Sequence, residues 1–118
     1  MKCKNCDLVF KINLVSPVEE KKRYASHNND VSDPNYLNYL NKLFTKARPF
    51  LTEDKIYQTL DFGCGPSKGL EALLSQNKSF DVNSYDPYFF NKDFRQKSYD
   101  LIYALECFEH FNEPFKTI

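Results

Sequence analysis

Every glycine of this 118-residue chain lies within seven consecutive positions. Gly63, Gly65 and Gly69 fall in the stretch TLDFGCGPSKGL, residues 59–70, and no other part of the chain has their backbone freedom. The residues leading into them, 56–62 (IYQTLDF), read as a strand. The residues following, 70–76 (LEALLSQ), carry Leu70, Leu73 and Leu74 on one helical face. Strand, glycine turn and helix form one unit of a parallel α/β layer. At the carboxyl end of such a strand a ligand commonly lies over the turn, where glycines let the backbone pass close beneath it.

The rest of the chain fits one small domain built on that unit. Residues 8–15 (LVFKINLV) have the composition of a short strand, and residues 16–31 are polar and charged with no clear period. A helix follows with Asp33 as its N-cap and Pro34 as its first residue. Tyr36, Leu37, Leu40, Leu43, Phe44 and Ala47 repeat at helical spacing, and Pro49 marks the end. Residues 80–85 (FDVNSY) predict a second strand ending at Asp86-Pro87, and residues 99–105 (YDLIYAL) a nearly continuous buried strand. Alternating strands and helices predict an α/β fold with a parallel sheet.

Composition removes several classes of function. Lysine plus arginine and aspartate plus glutamate both total 16, so no global field draws the chain to nucleic acid or to an anionic membrane. The apolar runs are too short to span a bilayer, and MKCKNCDLVF lacks the apolar stretch of a signal peptide, so no membrane partner and a cytoplasmic location are expected. The four cysteines do not form a disulfide framework. Cys3 and Cys6 open the chain as a Cys-x-x-Cys pair running into a β-type stretch, as in a zinc-ribbon knuckle. They supply only half of the four ligands of a structural zinc, so a complete zinc site within this chain is not expected.

The residues around the glycines narrow the ligand. A dinucleotide fingerprint requires glycine at position 68, where this chain has Lys68. Asp61, just before the turn, suits an ammonium group better than a pyrophosphate. Asp86, 21 residues beyond Gly65, stands where an acid accepts the hydroxyl hydrogens of a ribose. The pattern describes an amine-bearing nucleoside without phosphates.

Leu60-Asp61-Phe62-Gly63-Cys64-Gly65-Pro66-Ser67 resembles motif I of class I S-adenosylmethionine-dependent methyltransferases, with Ser67 where the family's third glycine stands. Ser84-Tyr85-Asp86-Pro87 resembles the family's ribose-binding segment. Tyr99-Asp100-Leu101-Ile102, followed by Glu106-Cys107-Phe108-Glu109-His110-Phe111, resembles its fourth-strand motif. The likeness covers residues 24–118 and includes Tyr24-Ala25-Ser26-His27-Asn28-Asn29-Asp30, with residues 1–23 as a zinc-ribbon remnant and linker. The resemblance implies a partial Rossmann-like methyltransferase fold holding the N-terminal half of the sheet, because the family has further strands after the fourth. It also implies an enzyme moving a methyl group from S-adenosylmethionine to an unidentified acceptor.

The same resemblance implies cofactor contacts at Asp61, Gly63, Cys64, Gly65, Asp86 and Pro87. It makes Glu106, Glu109 and His110 the catalytic candidates, either as ligands of a divalent cation that prepares the accepting atom or as braces of the next helix. His27 and Asn28 either close over the cofactor or form a polar turn. Cys64 reads as a small residue fitting the turn, Cys107 as packing, and the aromatic run 85–94 as adenine-flanking or core. Removal of the Asp86 carboxylate is expected to weaken cofactor binding and disturb folding little. Two other classes remain open: a non-catalytic module associating through an incomplete sheet edge, and a nicotinamide-dependent oxidoreductase.

Overall fold

The structure is a computed structural model and describes residues 1–9, 15–27 and 29–111. The element order begins with α1 (Pro17–Ala25) and α2 (Pro34–Thr45). It continues with β1 (Tyr57–Phe62), α3 (Gly69–Leu74), β2 (Phe80–Tyr85) and β3 (Leu101–Tyr103). Short 3-10 turns occupy Arg48–Phe50 and Phe108–His110. The strand expected over 8–15 lies largely outside the described residues. At the N-terminus, Lys2 bridges Val9 in antiparallel fashion, which folds Cys3 and Cys6 into a tight turn with both thiols free. Among the described residues no helix is long and apolar enough to cross a membrane.

The three strands form one parallel sheet in the order β2-β1-β3. β1 is therefore central, and the chain moves from it to one side for β2 and then to the other for β3. That reversal makes a switch point, and a crevice opens outside the carboxyl ends of the strands there. Asp61 of β1 is in register with Ser84 on one side and Tyr103 on the other, so the sites following each strand end at one edge. Asp100 anchors the approach to β3 by accepting from the Gln58 amide at 2.9 Å and pairing with Lys55.

Both faces of β1 are covered, which is why five of its six residues are buried, polar Thr59 and Asp61 among them. On one face Phe44 of α2 and Leu70 and Leu74 of α3 pack with Tyr103. The Phe44 and Phe80 rings meet edge to face at 5.1 Å. On the other face Leu60, Phe62 and Cys107 form a second cluster, with Tyr85 and Phe94 packed against it. The 99–105 stretch departs from the expected continuous buried strand. Only Leu101–Tyr103 is a strand, and Ile102 is 60% exposed. β3 is an edge strand, and among the described residues no helix covers the face that Ile102 presents.

α1 was not legible as a period, because it buries no residue. Its signal is local: Ser16 accepts from the Glu19 amide while the Glu19 carboxylate accepts from the Ser16 amide, with Pro17 opening the first turn. α2 begins as expected, with the Asp33 carboxylate accepting from the Asn35 amide at 2.8 Å. The boundary expected between residues 23 and 24 falls inside α1.

Candidate functional site

The carboxyl ends of all three strands open into one cavity of about 460 Å³, within the range of small-molecule sites. Its floor is the glycine turn. Gly63 and Gly65 have φ of 83° and 63°, left-handed values that favour glycine, and they carry the chain out of β1 and back toward α3. A side-chain carbon at Gly63 would stand 2.7 Å from Cys107 Cβ, whereas one at Gly65 would meet nothing within 4 Å. Gly63→Ala is therefore expected to lower stability by about 2 to 4 kcal/mol, combining left-handed strain with overpacking. Gly65→Ala is expected to cost about 1 to 2 kcal/mol from strain alone. Urea denaturation of the two variants checks this, and equal losses would contradict the packing of Cys107 under the turn.

The first three amides of the turn are not free for an anion. The Gly63 and Cys64 amides both donate to the Tyr85 carbonyl, at 2.9 and 3.1 Å, and the Gly65 amide donates to Asp86 Oδ2 at 3.0 Å. These bonds lock the turn onto the end of β2. They also answer where the backbone groups of residues 63–65 go. α3 has six residues, and no side chain caps its start.

Two buried carboxylates flank the turn. Asp86 is 7% exposed and is satisfied by the protein itself. Besides the Gly65 bond, its Oδ1 accepts from the amides of Tyr88 at 2.8 Å and Phe89 at 3.3 Å. Three of about four lone-pair positions are taken, so one remains for a ligand hydroxyl, fewer than the two expected from its sequence position. Asp61 is the opposite case. It is 4% exposed, and no hydrogen bond among the described residues reaches its carboxylate. Burial pushes its pKa up to about 7, and the nearby Glu71 and Asp86 charges add to the effect.

The remaining expected residues divide between floor and rim. Pro87 and Cys64 line the cavity with Asp61 and Asp86. Burial raises the thiol of Cys64 to about 12 and that of Cys107 to about 11, so neither is a thiolate near neutrality. Glu106 and His110 lie at the exposed rim, while Glu109 does not line the cavity. Among the described residues no three His, Cys, Asp or Glu side chains converge as a metal site. Of the aromatic run, Tyr85 and Phe94 pack against the second core cluster, and Tyr85 and Tyr88 line the cavity. His27 lines the cavity too, packed edge to face on Tyr24 at 5.7 Å, and Asn28 lies outside the described residues.

Glu20, Tyr36 and Tyr39 also line the cavity, and sequence reading gave them no role there. Glu20 reaches from α1 to accept from the Tyr88 hydroxyl and, at 3.4 Å, from the Tyr24 hydroxyl, while His110 Nδ1 stands 3.7 Å from it. The Ser16–Glu19 capping box would have announced α1 and hence the phase of Glu20 and Tyr24. Compared with known proteins, the chain matches no family model, no curated protein and no solved structure. The chemistry of the cavity therefore carries the functional argument.

Proposed function

We propose that this chain carries the S-adenosylmethionine-binding half of a Rossmann-like methyltransferase domain. The observation that carries the reading is the buried carboxylate of Asp61, without a hydrogen-bond partner among the described residues, beside a glycine turn whose first three amides are already bonded. Such a floor suits an ammonium group and rejects a pyrophosphate, which weighs against the nicotinamide alternative. The residues present fit the cofactor's parts. Asp61 would hold the ammonium, the free position on Asp86 Oδ2 a ribose hydroxyl, and Pro87 and Tyr88 would border the nucleoside. The cofactor supplies an electrophilic methyl group. The protein's share is to hold donor and acceptor in line and to keep water out, so positioning dominates the rate.

The exposed Ile102 on edge strand β3 favours a second reading, an association module pairing along that edge. Isothermal calorimetry with S-adenosylmethionine and S-adenosylhomocysteine separates the two. Saturable one-to-one binding by a monomeric chain is the expected result. Absence of binding by either compound, with the chain folded, would overturn the methyltransferase reading.

A further inference from the structure

The rim of the cavity has a chemistry distinct from its floor. Glu20 of α1 and Glu106 after β3 stand at the rim, with Tyr24, Tyr39 and His110 beside them. Glu106 adopts φ of 52°, an unfavourable left-handed conformation for a residue with a side chain, and its Oε1 accepts from the Tyr39 hydroxyl at 2.6 Å. Glu20 is held from two sides by phenol hydroxyls. Both carboxylates are thus fixed by donors that leave them lone pairs to spare. The Tyr24 ring lines the same cavity, packed edge to face on His110 at 5.3 Å.

Among the described residues the cavity is lined by four acidic side chains and by no lysine or arginine. The hydrogen bond to Glu20 raises Tyr88 to about 12, and the hydrogen bond to Glu106 raises Tyr39. At the floor the buried Asp61 carboxylate lines the same space, and among the described residues no hydrogen-bond donor reaches it. An anionic molecule would meet acidic side chains at both floor and rim, with no lysine or arginine among the described lining residues to offset them. A molecule bearing an ammonium would find fixed carboxylates, phenol oxygens and aromatic surface, the combination that recognises organic cations.

We propose that the rim binds a small aliphatic amine in its ammonium form, held by Glu20 and Glu106 against Tyr24 and Tyr39. The assignment of that amine as the methyl acceptor rests on the methyltransferase reading; the binding of the cation does not. His110, within 3.7 Å of Glu20, is placed to take the ammonium proton. The freed nitrogen lone pair then forms the new bond to the methyl carbon as the carbon–sulfur bond of a sulfonium donor breaks. The electron pair of that bond remains on sulfur, and the products are the methylated amine, a thioether and protonated His110.

The test uses the full chain and a pair of probes matched in shape. Dimethylethanolamine, cationic at neutral pH, is titrated against isoamyl alcohol, its uncharged carbon analogue, with the His110 and tyrosine resonances followed by NMR. The amine is expected to bind saturably and at least about tenfold more tightly than the alcohol. The E20Q/E106Q double variant is expected to remove that preference. Equal binding of the two probes, no saturable binding, or an unchanged preference in a folded double variant would each overturn the proposal. If the double variant does not fold, the comparison of the two probes on the unaltered chain decides alone. S-adenosylhomocysteine binding is measured on the same sample. Cofactor binding without cation preference rejects the amine site and leaves the methyltransferase reading; cation preference without cofactor binding does the reverse.

Discussion

Asp86→Ala is expected to destabilise the chain by about 3 to 5 kcal/mol, a large part of the stability of a domain this size. The carboxylate accepts from three backbone amides, those of Gly65, Tyr88 and Phe89, at a site that is 7% exposed. Removing it orphans donors that water reaches poorly, and it releases the glycine turn from the end of β2. The melting temperature should fall by more than about 10 °C. This reverses the expectation from sequence that folding would be little disturbed. Asp86→Asn separates the two roles, because its amide oxygen still accepts from Tyr88 and Phe89 while the bond from Gly65 and the negative charge are lost. The asparagine variant is expected to keep most of the stability and to bind S-adenosylhomocysteine at least about tenfold more weakly. Equal melting temperatures for Asp86→Ala and the parent chain would show that the turn does not depend on this carboxylate.

Asp61→Asn has the opposite sign. The pKa of Asp61 is raised from 3.8 to about 7, so the folded chain holds a proton that the unfolded chain has released. Its contribution to stability is therefore full below about pH 4 and is lost as pH rises through about 7. A shift of that size corresponds to at most about 4 kcal/mol, and the asparagine amide, still buried without a partner, returns part of it. Asp61→Asn should accordingly be more stable than the parent by about 1 to 3 kcal/mol above neutrality, with the difference growing between pH 4 and pH 7 and level beyond. Urea midpoints across that range measure it. A difference that does not change with pH would remove Asp61 from this role. On ligand binding the same group acts in reverse, since a bound ammonium draws out its charged form. Calorimetry in two buffers of different ionisation enthalpy should record proton release below pH 7, absent in the variant.

The parts of the fold legible in the sequence are those where a local rule and the tertiary context agree. Phe80–Tyr85 is a strand over the full stretch expected, and the Asp33–Pro34 start of α2 follows from capping chemistry alone. β3 was overread because a run of apolar residues does not reveal whether one face is left open, as at Ile102. α1 was missed because it has no apolar stripe to read. The floor of the site was legible since Asp61, Gly63, Gly65 and Asp86 sit at fixed offsets from strand ends. The rim was not. Glu20, Tyr39 and Tyr88 come from three separate segments, and only folding brings them to one cavity.

α1 has a consequence for the timing of any reaction in this cavity. No residue of the helix is buried, and across the cavity it is held by Glu20 and Tyr24 through their contacts with Tyr88 and His110. Segments so lightly anchored open at a small fraction of the free energy needed to unfold the sheet. Opening of the helix is therefore expected to cost less free energy than unfolding of the sheet. Residence of a bound molecule is then set by the lifetime of a few side-chain contacts, and strengthening those contacts would slow release before it changed anything at the floor.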